Sequence, residues 1–208
     1  MRNIGCQWSG AAGLIVKLLS HPMDYERFYK HLFSPIEDRI GPFDKAGIMA
    51  IVGFDCGGPI SLSTVGREQR KKFVTYITCE LACRKEQQPA SFGRYEFMMT
   101  CDDREWAHHI LTKLGQMSLE SAFDHGHTVD IRRIVPGNCP LKGLITEEFA
   151  RAKIGRKSFG IMQVHGVTRP ELDFARRFGA DKLLDALKAA RIYPRTSPKR
   201  KKSIDEAA

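Results

Sequence analysis

Residues 159–187 constrain the fold of this chain more than any other stretch. Phe159, Ile161, Met162 and Val164 form a short apolar run that predicts a buried strand. A helix-start signal follows it. Thr168 stands as the cap, Pro170 sits in the first turn where its missing N–H costs nothing, and Glu171 is placed to answer Thr168 as a capping box. That helix turns Leu172, Ala175 and Phe178 to one side until Gly179 stops it. Asp181 then caps a second helix with Leu183, Leu184 and Leu187 on its inner face. The whole reads as a well-capped unit that closes a core, and by itself it says nothing of function.

The rest of the chain predicts what that unit closes on. Tyr25, Phe28, Tyr29, Leu32 and Ile36 recur at helical spacing over 22–39 despite Pro35. Short apolar runs at 48–54 and 60–65, separated by Cys56-Gly57-Gly58-Pro59, predict two strands and a loop. Residues 73–83 alternate, with Phe73, Ile77, Cys79, Leu81 and Cys83 on one face and Thr78 and Glu80 on the other. Residues 94–101 repeat the device, turning Tyr95, Phe97, Met99 and Cys101 inward and Arg94, Glu96 and Thr100 outward. Both read as half-buried antiparallel strands. Asp102 and Glu105 open a helix with an apolar stripe of Trp106, Ile110, Leu111, Leu114 and Met117. A loop at 124–128, a strand at 129–135, a turn at 136–138 and a strand at 141–145 follow. The fold class is α+β, a mixed α/β arrangement in which helices pack on a central, largely antiparallel or mixed sheet.

At 208 residues, 42% of them hydrophobic, the chain is long enough for one domain with a real core. The divisions expected are a leader over 1–22, a single domain over 23–193 and a disordered basic tail over 194–208. Net charge is +9, and the tail holds five basic residues (Arg195, Lys199, Arg200, Lys201, Lys202) against Asp205 and Glu206. The remaining positive charge falls in separate groups, Arg67 to Lys72, Arg132-Arg133, and Arg151 to Lys157, broken by acids, so no nucleic-acid stripe is indicated. Six cysteines are too sparse for a disulfide scaffold, and the apolar stretch 11–19 is too short to span a bilayer. A cytoplasmic protein with reduced thiols is expected.

No stretch announces chemistry. His108, His109, His125, His127 and Cys101 cluster in sequence, but His108 and His109 are adjacent, His125 and His127 would point to opposite faces if extended, and Cys79-x3-Cys83 lies on a predicted strand, so no zinc site fits well. Cys56, beside two glycines, is the most loop-like thiol, yet it has no recognisable base. Phosphate-binding glycine motifs are missing. The acidic pairs Asp102-Asp103 and Glu147-Glu148 read as helix starts, where the macrodipole favours them. No catalytic residue, metal or cofactor is expected.

With the elements laid out, the chain resembles the suppressor-of-fused-like (SUFU) domain family, in its compact bacterial single-domain form. Three stretches carry the likeness over about 25–200. One is Arg94-Tyr95-Glu96-Phe97 followed by the Trp106, Leu111, Leu114 helix; another is Gly126-His127-Thr128-Val129 with Pro136-Gly137 and the 141–145 strand. The third is Thr168, Glu171, Ala175, Gly179, Leu183, Leu184 and Leu187, running out in Pro194 and Arg195 to Arg200. His165-Gly166 stands where the family commonly has a proline.

The resemblance implies a non-catalytic protein-binding module, of the immunity or sequestering kind that neutralises a toxin by direct contact. For a basic chain it implies a toxin partner with an acidic surface. A nucleic-acid-associated protein using the basic groups and tail is the alternative, and a metal- or thiol-dependent hydrolase the second. Partner contact is expected at the irregular loops, at Cys56, Gly57 and Gly58 and at Asp124, His125 and His127.

Overall fold

In a computed structural model of the chain, which describes residues 25–43, 49–54, 58–65, 72–200 and 203–204, the centre is a pair of parallel strands that are far apart in sequence. These are β4 (Arg94–Cys101) and β7 (Lys157–Thr168), aligned from Arg94 opposite Phe159 to Met98 opposite Gln163. Around them stand β1 (Met49–Phe54), β2 (Gly58–Val65), β3 (Val74–Cys79), β5 (Thr128–Asp130) and β6 (Leu141–Ile154). The sheet order is β1-β2-β3-β4-β7-β6-β5, with an eighth short strand, β8 (Arg195–Thr196), also on β4. Every neighbouring pair except β4–β7 and β4–β8 is antiparallel, so the sheet is mixed and the class is α+β as expected.

Among the described residues, four helices cover the sheet. Helix α2 (Arg104–Met117) lays Ala107, Ile110, Leu111 and Leu114 on Tyr95, Phe97, Met99, Met162 and Val164. On the opposite face, α1 (Tyr25–Ile40) packs Leu32, Phe33 and Ile36 against Ile77, Met98, Phe159 and Ile161. Beside α1, α3 (Arg169–Phe178) and α4 (Ala180–Ala189) enclose Ile145 and Val167 with Leu172, Ala175, Leu183, Leu184 and Leu187. Alternation along β7 makes this one face, because Phe159, Ile161 and Val167 share parity. The capping box of Thr168 and Glu171 forms as the sequence indicates.

Two-sided cover corrects several expectations. β3 and β4 are buried on both faces, so Glu96, expected outward, has no exposure at all. The 73–83 strand stops at Cys79, because Glu80 takes φ 85° and a short 3-10 turn (Leu81–Cys83) follows. The 129–135 strand is only Thr128–Asp130. The 141–145 strand runs instead to Ile154, which places Glu147 and Glu148 on β6 opposite Gln163 and Met162 and not at a helix start. Pairing with β7 outweighs the helix-forming composition of that segment. The caps move too: Asp103, not Asp102, accepts the Trp106 N–H, and Gly179, not Asp181, precedes α4. Phe178, drawn inward on the helical pattern, is 52% exposed.

The largest correction concerns 194–208, expected to be disordered. Its described part is built into the fold. Arg195 and Thr196 pair in parallel with Thr100 and Cys101 of β4, Ile204 joins the core under α3 and α4, and Arg200 reaches the buried Glu171. β8 takes the edge that β7 leaves free once its register with β4 ends at Met98. The 1–22 leader lies outside the described residues.

Candidate functional site

The loop that the sequence marks is held from several sides. Gly126, at φ 77°, makes the left-handed turn that a side chain would oppose, and its N–H donates to the Thr146 carbonyl (2.8 Å). Asp124 accepts from the Ser91 N–H (2.8 Å) and hydroxyl (2.7 Å). Partial burial works against its charge, but the Ser91 donors outweigh it and hold the carboxyl below its ordinary value. Nδ1 of His127 accepts from the Asp124 N–H (3.2 Å). His125 accepts from the Glu148 N–H at Nδ1 (3.2 Å), which leaves its proton on Nε2, facing Asp181 in the first turn of α4 at 2.8 Å. Asp124, His125 and His127 are thus brought together on the β6 side of the sheet. Gly58 opens β2, four strands away from β6, and Cys56 and Gly57 lie outside the described residues.

The candidate metal ligands diverge. His108 sits edge-on to Tyr76 and His109 bonds the Ile134 carbonyl (2.7 Å). Among the described residues no group of three or more His, Cys, Asp or Glu side chains could hold a metal ion. Burial pushes the thiols of Cys83 and Cys101 up to about 12, so neither is a ready nucleophile.

Sequence reasoning missed two buried polar clusters. In the first, Glu96 accepts from the Thr78 hydroxyl (2.6 Å) and the Ala82 N–H (2.8 Å), and burial pushes it up to about 8. In the second, the Arg200 guanidinium forks onto both oxygens of Glu171 (2.6 and 2.7 Å), while the Thr168 N–H donates to the same carboxylate (2.8 Å). Burial opposes the Glu171 charge, but Arg200 holds the carboxyl below its ordinary value. Thr196 Oγ1 accepts from the Gly166 N–H (3.0 Å) and lies 3.2 Å from Nδ1 of His165, which burial and then Arg200 push down to about 4. Gly166 admits this strap, since a Cβ there would come within 2.9 Å of Thr196 Cγ2.

Beside the second cluster, at the carboxyl ends of β4 and β8, opens a cleft of about 720 Å³. It is lined by Lys72, Phe73, Asp102 and Asp103 and, from the C-terminal segment, by Arg191, Ile192, Arg195, Ser197, Lys199 and Arg200. The two groups lie about 90 to 130 residues apart in the chain, and most of the second falls in the expected tail, so no local pattern could have joined them. The only signal was their shared basic charge.

The profile of the family described as "Suppressor of fused protein (SUFU)" matches residues 58–201, well over half of the chain. The chain belongs to the SUFU family. The matched region holds β2 to β8, α2 to α4 and every residue of the cleft described above. Solved structures carry the same fold at low identity. A chain of the Sufu–Fu complex is 15% identical with a TM-score of 0.64, covering 88% of this chain and 92% of that one. A putative SUFU homolog from Neisseria gonorrhoeae FA 1090 is 16% identical at 0.54, covering 87% of this chain and 100% of that one. Drosophila Suppressor of Fused is 16% identical at 0.55, covering 72% of this chain but only 43% of that one. No curated protein sequence matches the chain significantly.

Proposed function

We propose that this SUFU-family chain is a non-catalytic cytoplasmic module that sequesters a protein partner, in the manner of an immunity protein neutralising a toxin. The observation that carries this is family membership together with the fold it shares with a chain of the Sufu–Fu complex, a SUFU protein joined to another protein. The interior supports the same view. Its buried titratable groups Glu96 and Glu171 are walled in by their own hydrogen-bond partners, and His165 lies fully buried beside Thr196, so all three serve packing. Of the loop residues expected at the contact, Asp124, His125 and His127 remain candidates, because they form a surface turn fixed before any partner arrives.

The test is capture of a partner at physiological salt, then reconstitution of the purified pair. A stoichiometric complex is expected, and co-expression of this chain with a toxic partner restores growth. A chain that captures no protein, or a complex that leaves toxicity intact, would sink the sequestering role.

A further inference from the structure

We infer that the cleft at the carboxyl ends of β4 and β8 is the docking groove for an acidic segment of the protein partner, an inference that rests on the binding role proposed above. Several basic residues elsewhere on the surface are neutralised within the chain, whereas others, Arg133, Arg177 and Lys182 among them, stand apart from one another on exposed positions. Arg132 pairs with Asp130, Arg151 with Glu148, Arg169 and Arg176 with Asp173, and Lys188 with Glu147. Arg191, Arg195 and Lys199 have no carboxylate partner among the described residues, and all three face one cleft. Asp102 is matched by Lys72 and Asp103 caps α2, so these three cations leave the concave site with an excess of positive charge that raises the local potential for an anion.

Their backbone is fixed in advance. Arg195 belongs to β8, paired with Thr100, and the Asp102 N–H donates to the Thr196 carbonyl across the strap (3.3 Å). Little ordering is left to be done on binding. Phe73 and Ile192 add apolar surface to the lining, which suits a segment carrying an apolar side chain between acids.

The same geometry disfavours nucleic acid. Asp102 and Asp103 share the cleft and oppose a continuous phosphate backbone, whereas a peptide offers N–H groups to such carboxylates. The Phe73 ring, the natural stacking platform for a base, is flanked by Lys72 Nζ at 5.5 Å and Arg195 Cζ at 5.8 Å from its centroid.

The experiment is fluorescence anisotropy with two probes, a labelled decapeptide of glutamate and aspartate around one leucine and an oligothymidylate of ten nucleotides. Full-length protein is compared with the triple reversal R191E/R195E/K199E and with a charge-matched control, R133E/R177E/K182E, on exposed residues elsewhere. The peptide is expected to bind, to lose about tenfold or more in affinity with the first triple, and to change by no more than about twofold with the second. The single reversal Lys199→Glu, outside β8, repeats the loss in part should the triple variant unfold. Absent peptide binding, equal losses in both triples, or tighter binding of the oligonucleotide overturns the groove. Failure of the peptide beside a captured partner removes the groove and leaves the sequestering role; failure to capture any partner removes that role and leaves the peptide result standing.

Discussion

Glu96 and Glu171 are two glutamates on one side of one sheet, both without exposure, and the protein treats them in opposite ways. Glu96 is met by neutral donors only, the Thr78 hydroxyl and the Ala82 N–H, and burial lifts it to about 8. Glu171 is met by the Arg200 fork and held below its ordinary value. Burial alone therefore does not set the charge of a carboxyl; the partner that accompanies it does. Around Glu96 the fold encloses an acid, and around Glu171 it encloses an ion pair whose second member comes from a segment that sequence reading assigned to a tail.

Deleting residues 194–208 should break this contrast most severely. It removes β8, Arg200 and Ile204 together, and loss of cooperative unfolding in circular dichroism is the expected outcome. A variant that melts like the full chain would restore the disordered-tail reading. Arg200→Ala comes next, because it leaves a buried carboxylate unpaired, and a loss of about 3–5 kcal/mol in urea unfolding is expected at pH 7. Adding Glu171→Gln to that variant should recover part of the loss, and an additive double variant would argue against coupling.

The pH response separates the two acids further. A raised carboxyl such as Glu96 contributes stability that is full below 4.5 and is lost as pH rises to about 8. A depressed one such as Glu171 contributes stability present above 4.5 and lost as pH falls through its lower folded value. His165, lowered to about 4, contributes stability that is full above 6.5 and is lost as pH falls toward 4, so it offsets Glu96 over part of the range. Between about 6.5 and 8 only Glu96 of these three titrates, and stability should fall by up to about 1.4 kcal/mol per pH unit. Glu96→Gln, whose amide keeps both partners, should flatten that window and change stability by less than about 1 kcal/mol at pH 5. A wild-type chain whose urea midpoint holds steady from pH 6.5 to 8 would mean that Glu96 is charged in the fold.

The smallest effect is expected at His125→Ala, about 0.5 kcal/mol or less, since its contact with Asp181 is exposed. A much larger change in partner affinity than in stability would mark the loop as a contact surface.

How much of this was legible follows from range. The capping box at Thr168 and the inner leucines of α4 were readable because their partners lie within a few residues. The two-residue β8 was not, since its pairing with Thr100 spans about 95 residues and two residues carry no period. Glu96 was misplaced because alternation distinguishes the two faces of a strand but cannot say whether both are covered; here α1 arrives from the other end of the chain to cover the second. The Asp124 loop was legible as a turn from its glycine, whereas its ties to Ser91, Glu148 and Asp181 were not.

The bond between Arg200 and Glu171 also bears on the order of assembly. Synthesis delivers α3 with its carboxylate before the arginine that neutralises it, and packing that helix onto Val167 with the acid unpaired would cost several kcal/mol. Docking of α3 and α4 and closure of β8 over β4 are therefore expected as one concerted event, so that a nascent chain halted before residue 200 keeps this half of the molecule open, with the apolar faces of Leu172, Leu183 and Leu187 still available to chaperones.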